Sequence, residues 1–418
     1  MTFFADNERN LMDTHNLDWL ISIDDHVLEP PDVWTKRLPA KYQDQAPRLV
    51  NDGTEEYWSY SGKKVATPGL AAVAGKSREQ FSPEPVGYAD MRPGCYDSTA
   101  RLEDMDRAGI LASMCFPSFP RFCGQVFYEG DDKDLGMLCV QAYNDWMIDE
   151  WCGAAPGRFI PLTLIPLWDP HAAAKEVERC AAKGSRGIAF SENPVPLGLP
   201  SIHDKNRYWD PVWSAVQDTG LIVCMHQGSS SFRQETSPDA PQLVTMAWGI
   251  GTSMSGCMLD WLFGPVFQRY PGVKIALSEG GIGWMPYFLE RAEQIIDKQR
   301  FWAAQSGHKI DMKTGAITSR EAMEVDPLTL NIRQLARDHV YGCFIDDIAG
   351  LRLLDIIGAE NVMIETDYPH SDSTWPNSIE YAHKQLEGLD DETKYLILRG
   401  NAERLFRFEA ADPPTTRG

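Results

Sequence analysis

The sequence predicts an α/β fold, a distorted (β/α)8 barrel of the TIM type. Eight short apolar segments alternate with helical segments along the chain, which is typical of a parallel sheet covered by helices. Several of these segments end in Asp, Glu or His, and barrel enzymes carry active groups at the carboxyl ends of their strands. An open doubly wound sheet is the alternative, but it would separate Asp24 from Asp367 and lacks a glycine-rich loop after its first strand.

The predicted elements follow one another at regular intervals. Strands are predicted over residues 19–26, 109–117, 159–167, 187–192, 221–226, 273–281, 339–345 and 361–370. The sixth of these segments includes the loop after its strand, and the eighth includes the polar residues at its end. Helices are predicted over residues 99–108, 135–151, 171–182, 211–218, 257–268 and 284–302, with a pair of helices over 390–406. Two internal prolines disfavour regular pairing of the third strand.

Two segments interrupt this alternation. Residues 41–98, which resemble a small hairpin near 57–64, are predicted to form a flap inserted after strand one. A surface excursion without a role in binding is an equally good interpretation of this segment. Residues 305–338 are polar and predict a second insertion. The whole chain, residues 1–418, is interpreted as a single barrel domain.

Composition restricts the class of protein. A chain of 418 residues, 43% hydrophobic and 24% charged, can bury one large core or two ordinary ones. The net charge of -21 disfavours nucleic-acid and anionic-membrane partners, because both need clustered Lys and Arg. The nine cysteines are odd in number and have no C-x-x-C spacing, which indicates free thiols. With no apolar signal core and no window as long as a membrane span, we expect a cytoplasmic protein.

Four residues at strand ends are candidate metal ligands. Asp24 and His26 are two positions apart and share one face of strand one, whereas Asp25 points away. His226 ends strand five and Asp367 ends strand eight. Each alone could be a turn former or a structural residue, but their common position predicts one site. Mixed imidazole and carboxylate ligands suit one divalent ion, zinc first and manganese as the alternative.

Other residues are candidates for the surroundings of this ion. Glu279 follows strand six and is either a catalytic base or a buried hydrogen-bond acceptor. His370 and Trp375 lie in the loop beyond Asp367, and we expect substrate contacts there and at Phe116. The aromatic content suggests a small, partly apolar substrate. The cluster of Tyr208, Trp209 and Trp213 is predicted to be core, His203 and His339 are weaker site candidates, and His15, His171, His308 and His383 have no pattern that indicates a site.

Four motifs stand out at strand ends: residues 24–30, His226, residues 278–286 and residues 365–370. They resemble those of the amidohydrolase-related family that includes aminocarboxymuconate-semialdehyde decarboxylase and resorcylate decarboxylases. The resemblance runs from about Trp19 to Phe406 and implies a mononuclear metal site in a distorted barrel. It implies that strand one supplies two ligands, Asp24 and His26, and that His226 and Asp367 supply the others. It also favours a homodimer.

One departure from that family affects the expected reaction. The decarboxylases usually have a His before the glycine pair, where this chain has Glu279, and a carboxylate cannot hold a substrate carboxylate as an imidazolium can. We therefore predict a metal-dependent hydrolase in which the ion activates water, Asp367 accepts a proton and Glu279 assists. The alternative is a non-oxidative decarboxylase of a small aromatic or unsaturated acid, in which Asp367 protonates the carbon that loses carbon dioxide. A non-catalytic binding protein is the third possibility.

Overall fold

The computed structural model, which describes residues 16–415, has the predicted α/β architecture with parallel strands. The barrel strands, here β1 to β8 in chain order, are Leu20–Val27, Ile110–Pro117, the pair Phe159–Ile160 and Leu162–Thr163, Gly187–Ser191, Ile222–His226, Ile275–Ser278, Val340–Phe344 and Val362–Ile364. Each of them lies within a segment that the sequence predicts as a strand, except that β1 continues one residue further, to Val27.

Neighbouring strands pair in chain order. One sheet contains β1, β2 and the first piece of β3, and the other runs from the second piece of β3 to β8. All of these pairings are parallel. Pro161 lies between the two pieces of β3, where it lacks the N–H that a ladder needs. The weak pairing predicted for this strand is therefore observed as a split between the two sheets.

Backbone hydrogen bonds beyond the end of β8 join the last segment to the first. The N–H of Asp367 donates to the carbonyl of Asp24 over 2.9 Å, and the N–H of His26 donates to the carbonyl of Tyr368 over 2.7 Å. β8 itself ends at Ile364, so the polar residues that follow it are irregular rather than extended. The first and last segments are adjacent, as a closed barrel requires.

The helices agree with the predicted alternation, with one large difference in bounds. The helices of eight residues or more are Ser98–Ala108, Lys133–Trp146, Pro170–Ala182, Asp210–Thr219, Gln242–Phe263, Met285–Arg300, Ile332–His339 and Ser378–Gln385. The two short helices that follow them, Asp391–Tyr395 and Asn401–Phe406, are joined by a π-helical turn. The helix predicted from residue 257 begins at Gln242 instead. Its first half contains Gly249 and Gly251, which lower helix propensity, but Gly251 packs closely on Trp284.

The two interrupting segments contain short antiparallel sheets. Arg48–Asn51, Glu56–Tyr60 and Lys63–Ala66 form three antiparallel strands, which we call the insertion sheet. The hairpin near 57–64 is present, and Arg48–Asn51 is an additional strand. His308–Ile310 pairs with Ile317–Arg320 in the second segment. The helix Ile332–His339 then leads directly into β7.

The interior of the barrel and its helix layer form one large hydrophobic core. Trp209 and Trp213 are buried in it and pack against Phe190 with ring centroids 4.9 and 5.1 Å apart, as expected of core residues. All nine cysteines are buried and unpaired. Among residues 16–415, no helix has both the length and the apolar character that a membrane crossing requires.

Candidate metal centre

Asp24 and His26 project from β1 into the same buried pocket at the carboxyl end of the barrel. Both side chains are inaccessible to solvent, and Nε2 of His26 lies 3.6 Å from Oδ1 of Asp24. Their two-residue spacing places them on one face of the strand, as predicted. This strand therefore delivers a carboxylate and an imidazole to one point.

His226, the last residue of β5, completes a group of three potential ligands. Its Nε2 lies 3.2 Å from Nε2 of His26 and 3.4 Å from Oδ2 of Asp24. Its Nδ1 lies 2.6 Å from the carbonyl oxygen of Gln227. Because a carbonyl only accepts hydrogen bonds, Nδ1 carries the proton and Nε2 keeps a free lone pair. Burial lowers the pKa of His226 to about 4, which also keeps the ring neutral.

Asp367 belongs to a second group that shares His26 with the first. Oδ1 of Asp367 lies 3.2 Å from Nε2 of His26 and 3.2 Å from Nδ1 of His370. Within each group, Asp24–His26–His226 and His26–Asp367–His370, the ligand atoms lie within 4.8 Å of one another. Burial raises the pKa of Asp367, but His370 and His26 lower it by a larger amount. The net shift of this pKa is therefore downward. The four predicted ligands thus meet at one site.

The donor atoms fit a divalent cation. Both side-chain oxygens of Asp24 are buried without a hydrogen-bond donor among the described residues. Burial and the neighbouring carboxylates of Glu365 and Asp367 raise the pKa of Asp24 far above its usual range. Buried carboxylates are otherwise paired with donors or with metal ions, and a cation here would reverse the shift. Two neutral imidazoles and two carboxylates are a common set for zinc or manganese.

Asp25 points away from this group, as predicted. Its carboxylate accepts hydrogen bonds from the hydroxyls of Ser22, Ser113 and Thr366 and from the N–H of Tyr368. These donors lie on β1, on β2 and just beyond β8, so Asp25 ties the two ends of the barrel together. Asp25 therefore holds the strands around the site in place and does not itself face the candidate ligands.

Glu279 reaches the metal centre by a route other than strand alternation. β6 ends at Ser278, and Glu279, the next residue, has a left-handed φ of 51°. Its carboxylate accepts a hydrogen bond of 2.9 Å from Gln227 and lies 3.3 Å from Nε2 of His226. Burial and Asp367 raise its pKa well above the usual range. It lies beside the candidate ligands and is available as an acid or base.

Glu365 is a buried site residue that the sequence reasoning missed. One of its carboxylate oxygens accepts the N–H of Glu279 over 3.1 Å, and the other has no hydrogen-bond partner among the described residues. It lies one residue after β8 and two residues before Asp367. That spacing, the same as between Asp24 and His26, was the available signal.

The three residues expected to contact a substrate occupy different positions. His370 is stacked on His26, with ring centroids 3.6 Å apart, and lines the cavity in front of the ligands. Trp375 donates from its indole N–H to the carbonyl of Asp104 and lines an adjoining, polar cavity with Glu279. Phe116 is fully buried and packs edge-on against His226. Phe116 therefore supports the ligand ring from behind, which corrects the expectation that it contacts a substrate.

Phe122 takes the position that the sequence analysis assigned to Phe116. Its ring is stacked on His226 with centroids 3.9 Å apart, and it lines the cavity of about 650 Å³ that contains Asp367 and Glu279. Phe122 lies in the loop after β2, and loop conformation is not encoded in a periodic pattern. Its place in an aromatic loop that follows a strand end was the only signal.

The remaining histidines lie outside the site, or outside the described residues in the case of His15. His203 lies 3.0 Å from a carboxylate oxygen of Asp260 at the surface. His339 is stacked on Phe267, and its Nδ1 lies 2.8 Å from the carbonyl of Val273. Neither belongs to the two groups of potential ligands.

Comparison with known proteins places the chain in a family. The family model described as amidohydrolase matches residues 24–408, so the chain belongs to the amidohydrolase family. A gamma-resorcylate decarboxylase of Rhodococcus jostii is 26% identical over 298 residues, which are 66% of this chain and 79% of the relative. A 2-amino-3-carboxymuconate-6-semialdehyde decarboxylase of Dictyostelium discoideum is 22% identical over 331 residues, 78% of this chain and 80% of the relative. The family resemblance inferred from the motifs is confirmed.

Solved structures share the fold. An amidohydrolase from Mycobacterium avium subsp. paratuberculosis superposes with a TM-score of 0.66 at 20% identity and covers 93% of this chain and 99% of its own. A manganese-bound mutant of 5-carboxyvanillate decarboxylase from Novosphingobium aromaticivorans superposes with a TM-score of 0.60 at 16% identity and covers 94% and 98%. The chain is therefore an enzyme of this family, and its named relatives favour the decarboxylase alternative over the hydrolase that we predicted first.

Proposed function

We propose that this protein is a metal-dependent, non-oxidative decarboxylase of a small aromatic or unsaturated acid. The observation that carries the proposal is the carboxylate of Asp24, buried without donors between the imidazoles of His26 and His226. The decarboxylase activity of the relatives supports the reaction class. Zinc or manganese fits the ligand set, and a manganese ion is bound in one structure of the same fold.

Asp24, His26, His226 and Asp367 would hold the ion. A divalent ion in this site would supply an electrophilic centre that binds the substrate carboxylate and a neighbouring oxygen. Because the pKa of Asp367 is lowered, its carboxylate would relay a proton rather than hold one. His370, with Nδ1 at 3.2 Å from Oδ1 of Asp367, would supply that proton. Asp367 would pass it to the carbon as the bond to the leaving carboxylate breaks and leaves an electron pair on that carbon.

The walls of the cavity in front of the ligands would orient the substrate. The stacked pairs His370–His26 and Phe122–His226 present aromatic faces to this space. Its volume of about 650 Å³ is in the range of small-molecule sites. Aromatic faces exclude water from the reacting carbon and favour a planar substrate.

The test is a metal-controlled assay of carbon dioxide release. Protein stripped by a chelator and reloaded with zinc or manganese is offered gamma-resorcylate, 5-carboxyvanillate and unsubstituted benzoates. We expect release that depends on the ion and is lost in Asp367→Asn, while the surface variant Asp260→Asn keeps full activity. Full activity of Asp367→Asn, or release that is unaffected by chelation, would contradict the proposal.

A hydrolase is the second candidate because Glu279 occupies the position of the usual decarboxylase His. Its carboxylate, 3.3 Å from Nε2 of His226, could accept a proton from an attacking water. Assays of esters, amides and lactones in ¹⁸O-labelled water separate the two reactions. Incorporation of label into a product acid, lost in Glu279→Gln, would favour hydrolysis, whereas carbon dioxide release with no label in the organic product favours decarboxylation.

A further inference from the structure

A second cavity lies beside the cavity that Asp367, Glu279 and His370 line in front of the candidate ligands. It has a volume of about 480 Å³ and lies between the barrel mouth and the insertion sheet. Five residues line both cavities, so the two spaces adjoin: Pro68, Ala71, Phe122, Gly228 and His370. Two of the five, Phe122 and His370, are stacked on the candidate ligands His226 and His26. A molecule held at the metal centre therefore has direct access to this second space, which we call the side cavity.

The lining of the side cavity is mostly apolar. It includes side chains from the segment after β1, from the insertion sheet and the segment after that sheet, and from the loop after β2, namely Leu28, Trp58, Val65, Tyr88, Phe119 and Phe122. Apolar walls around a space of this size are costly to leave in contact with water, and they are typical of ligand sites. The lining thus favours an apolar occupant.

The charged side chains that line the side cavity already have partners. Arg121 donates to both carboxylate oxygens of Glu129 over 2.6 and 2.9 Å. The carboxylate of Glu29 accepts the N–H groups of Ser118 and Phe119 over 3.0 and 2.9 Å. Both charged groups are therefore paired within the protein. The part of a ligand that lies in the side cavity is accordingly uncharged.

We propose that the side cavity binds an uncharged, apolar arm of the substrate whose acid group lies at the metal centre. The proposal rests on the proposed function, because it assigns the acid group to the candidate ligands. It extends that function by predicting a substrate larger than a single-ring acid, with an aryl or alkyl substituent. Val65 and Trp58 of the insertion sheet would then determine specificity without contact with the reacting carbon.

Binding of two acids of different length tests the proposal. The probes are benzoate and biphenyl-4-carboxylate, titrated calorimetrically into the manganese-loaded protein. We expect biphenyl-4-carboxylate to bind at least about tenfold more tightly, since its second ring is removed from water in the side cavity. Val65→Trp, which fills the cavity, should abolish this preference and leave the affinity for benzoate unchanged.

Lys64→Trp is the matched control, because Lys64 precedes Val65 on the same strand and is exposed on the opposite face. It should preserve the preference. Val65→Phe is a smaller filling variant that keeps the test informative if Val65→Trp impairs folding. Equal affinities for the two acids, or an equal loss of both in the filled variants, would overturn the proposal.

The same titration in metal-stripped protein separates this proposal from the proposed function. Both affinities should fall by a similar factor while their ratio is retained. If neither affinity depends on the metal but biphenyl-4-carboxylate still binds more tightly than benzoate, the metal-centred function is wrong and the proposed role of the side cavity is supported. If binding depends on the metal but the two acids bind equally tightly, the proposed role of the side cavity is wrong and the metal-centred function is supported.

Discussion

Asp24 and Asp25 are neighbours on β1 and equally buried, yet their surroundings are opposite. Asp25 accepts hydrogen bonds from three hydroxyls and one backbone N–H. Asp24 accepts none from the described residues and faces two imidazoles. The pleat of the strand, which sends successive side chains to opposite faces, separates the two environments. Burial is thus common to both residues, and only the supply of donors distinguishes them.

The comparison indicates what each carboxylate contributes. A buried charge that is satisfied by the protein contributes to the fold, and its removal leaves donors unpaired. A buried charge without donors costs stability in the metal-free protein and gains its partner from a bound cation. Exchanging each residue in turn should therefore separate metal binding from folding stability.

The largest expected effect is that of Asp24→Asn on metal content and activity. Loss of this ligand should leave the purified protein with little bound metal and reduce turnover by about a thousandfold, because the electrophilic ion supplies several kcal/mol. The free energy of unfolding of the metal-free protein should be unchanged or higher, since an uncompensated buried charge is removed. Elemental analysis and urea denaturation measure the two quantities. A metal-replete Asp24→Asn protein would contradict the assignment.

Asp25→Asn should have the opposite profile. We expect the free energy of unfolding to fall by about 3 kcal/mol, because the amide repeats only part of the hydrogen bonding and leaves the neighbouring Arg101 charge uncompensated. Metal content should stay near that of the unaltered protein in the folded fraction. Urea denaturation with parallel elemental analysis checks this, and metal loss without destabilisation would reverse the roles of the two residues.

Glu29 is an intermediate case, since it is buried with only backbone donors. Burial raises its pKa to about 7, although the N–H groups of Phe119 and Ser118 oppose the shift. The folded protein then binds the proton more tightly than the unfolded chain, so the contribution of Glu29 to stability is lost as the pH rises from about 4.5 to about 7, by roughly 3 kcal/mol. The difference in unfolding free energy between the unaltered protein and Glu29→Gln should accordingly be larger at pH 5 than at pH 7.5. A difference that does not change with pH would contradict the shift.

Ser22→Ala should have the smallest effect. Its hydroxyl donates to Asp25 and accepts the backbone N–H of Thr366 over 2.9 Å, so we expect a loss of about 1 kcal/mol with metal content unchanged. Ser278→Ala is the matched control, because the Ser278 hydroxyl is buried without a hydrogen-bond partner among the described residues. It should cost little. Equal losses in the two variants would show that the Asp25 network adds nothing specific.

The order of the strands and the candidate ligands could be predicted because they depend on local pattern. Short apolar segments define the strands, and a two-residue period places Asp24 and His26 on one face and Asp25 on the other. The parallel barrel then brings the ends of β1, β5 and β8 to one mouth, which is why His226 and Asp367 could be assigned as well. The sequence by itself therefore determined the barrel and the identity of the potential ligands.

The tertiary structure alone decided which residues surround them. Phe122 instead of Phe116 faces the cavity, Glu279 turns back towards His226 through a left-handed backbone, and the insertion sheet encloses a second space. These features depend on the path of loops, and loops are fixed by contacts between distant residues that no periodic pattern records. Strand geometry has a short period that a sequence displays, whereas the shape of a cavity is a property of many segments packed together.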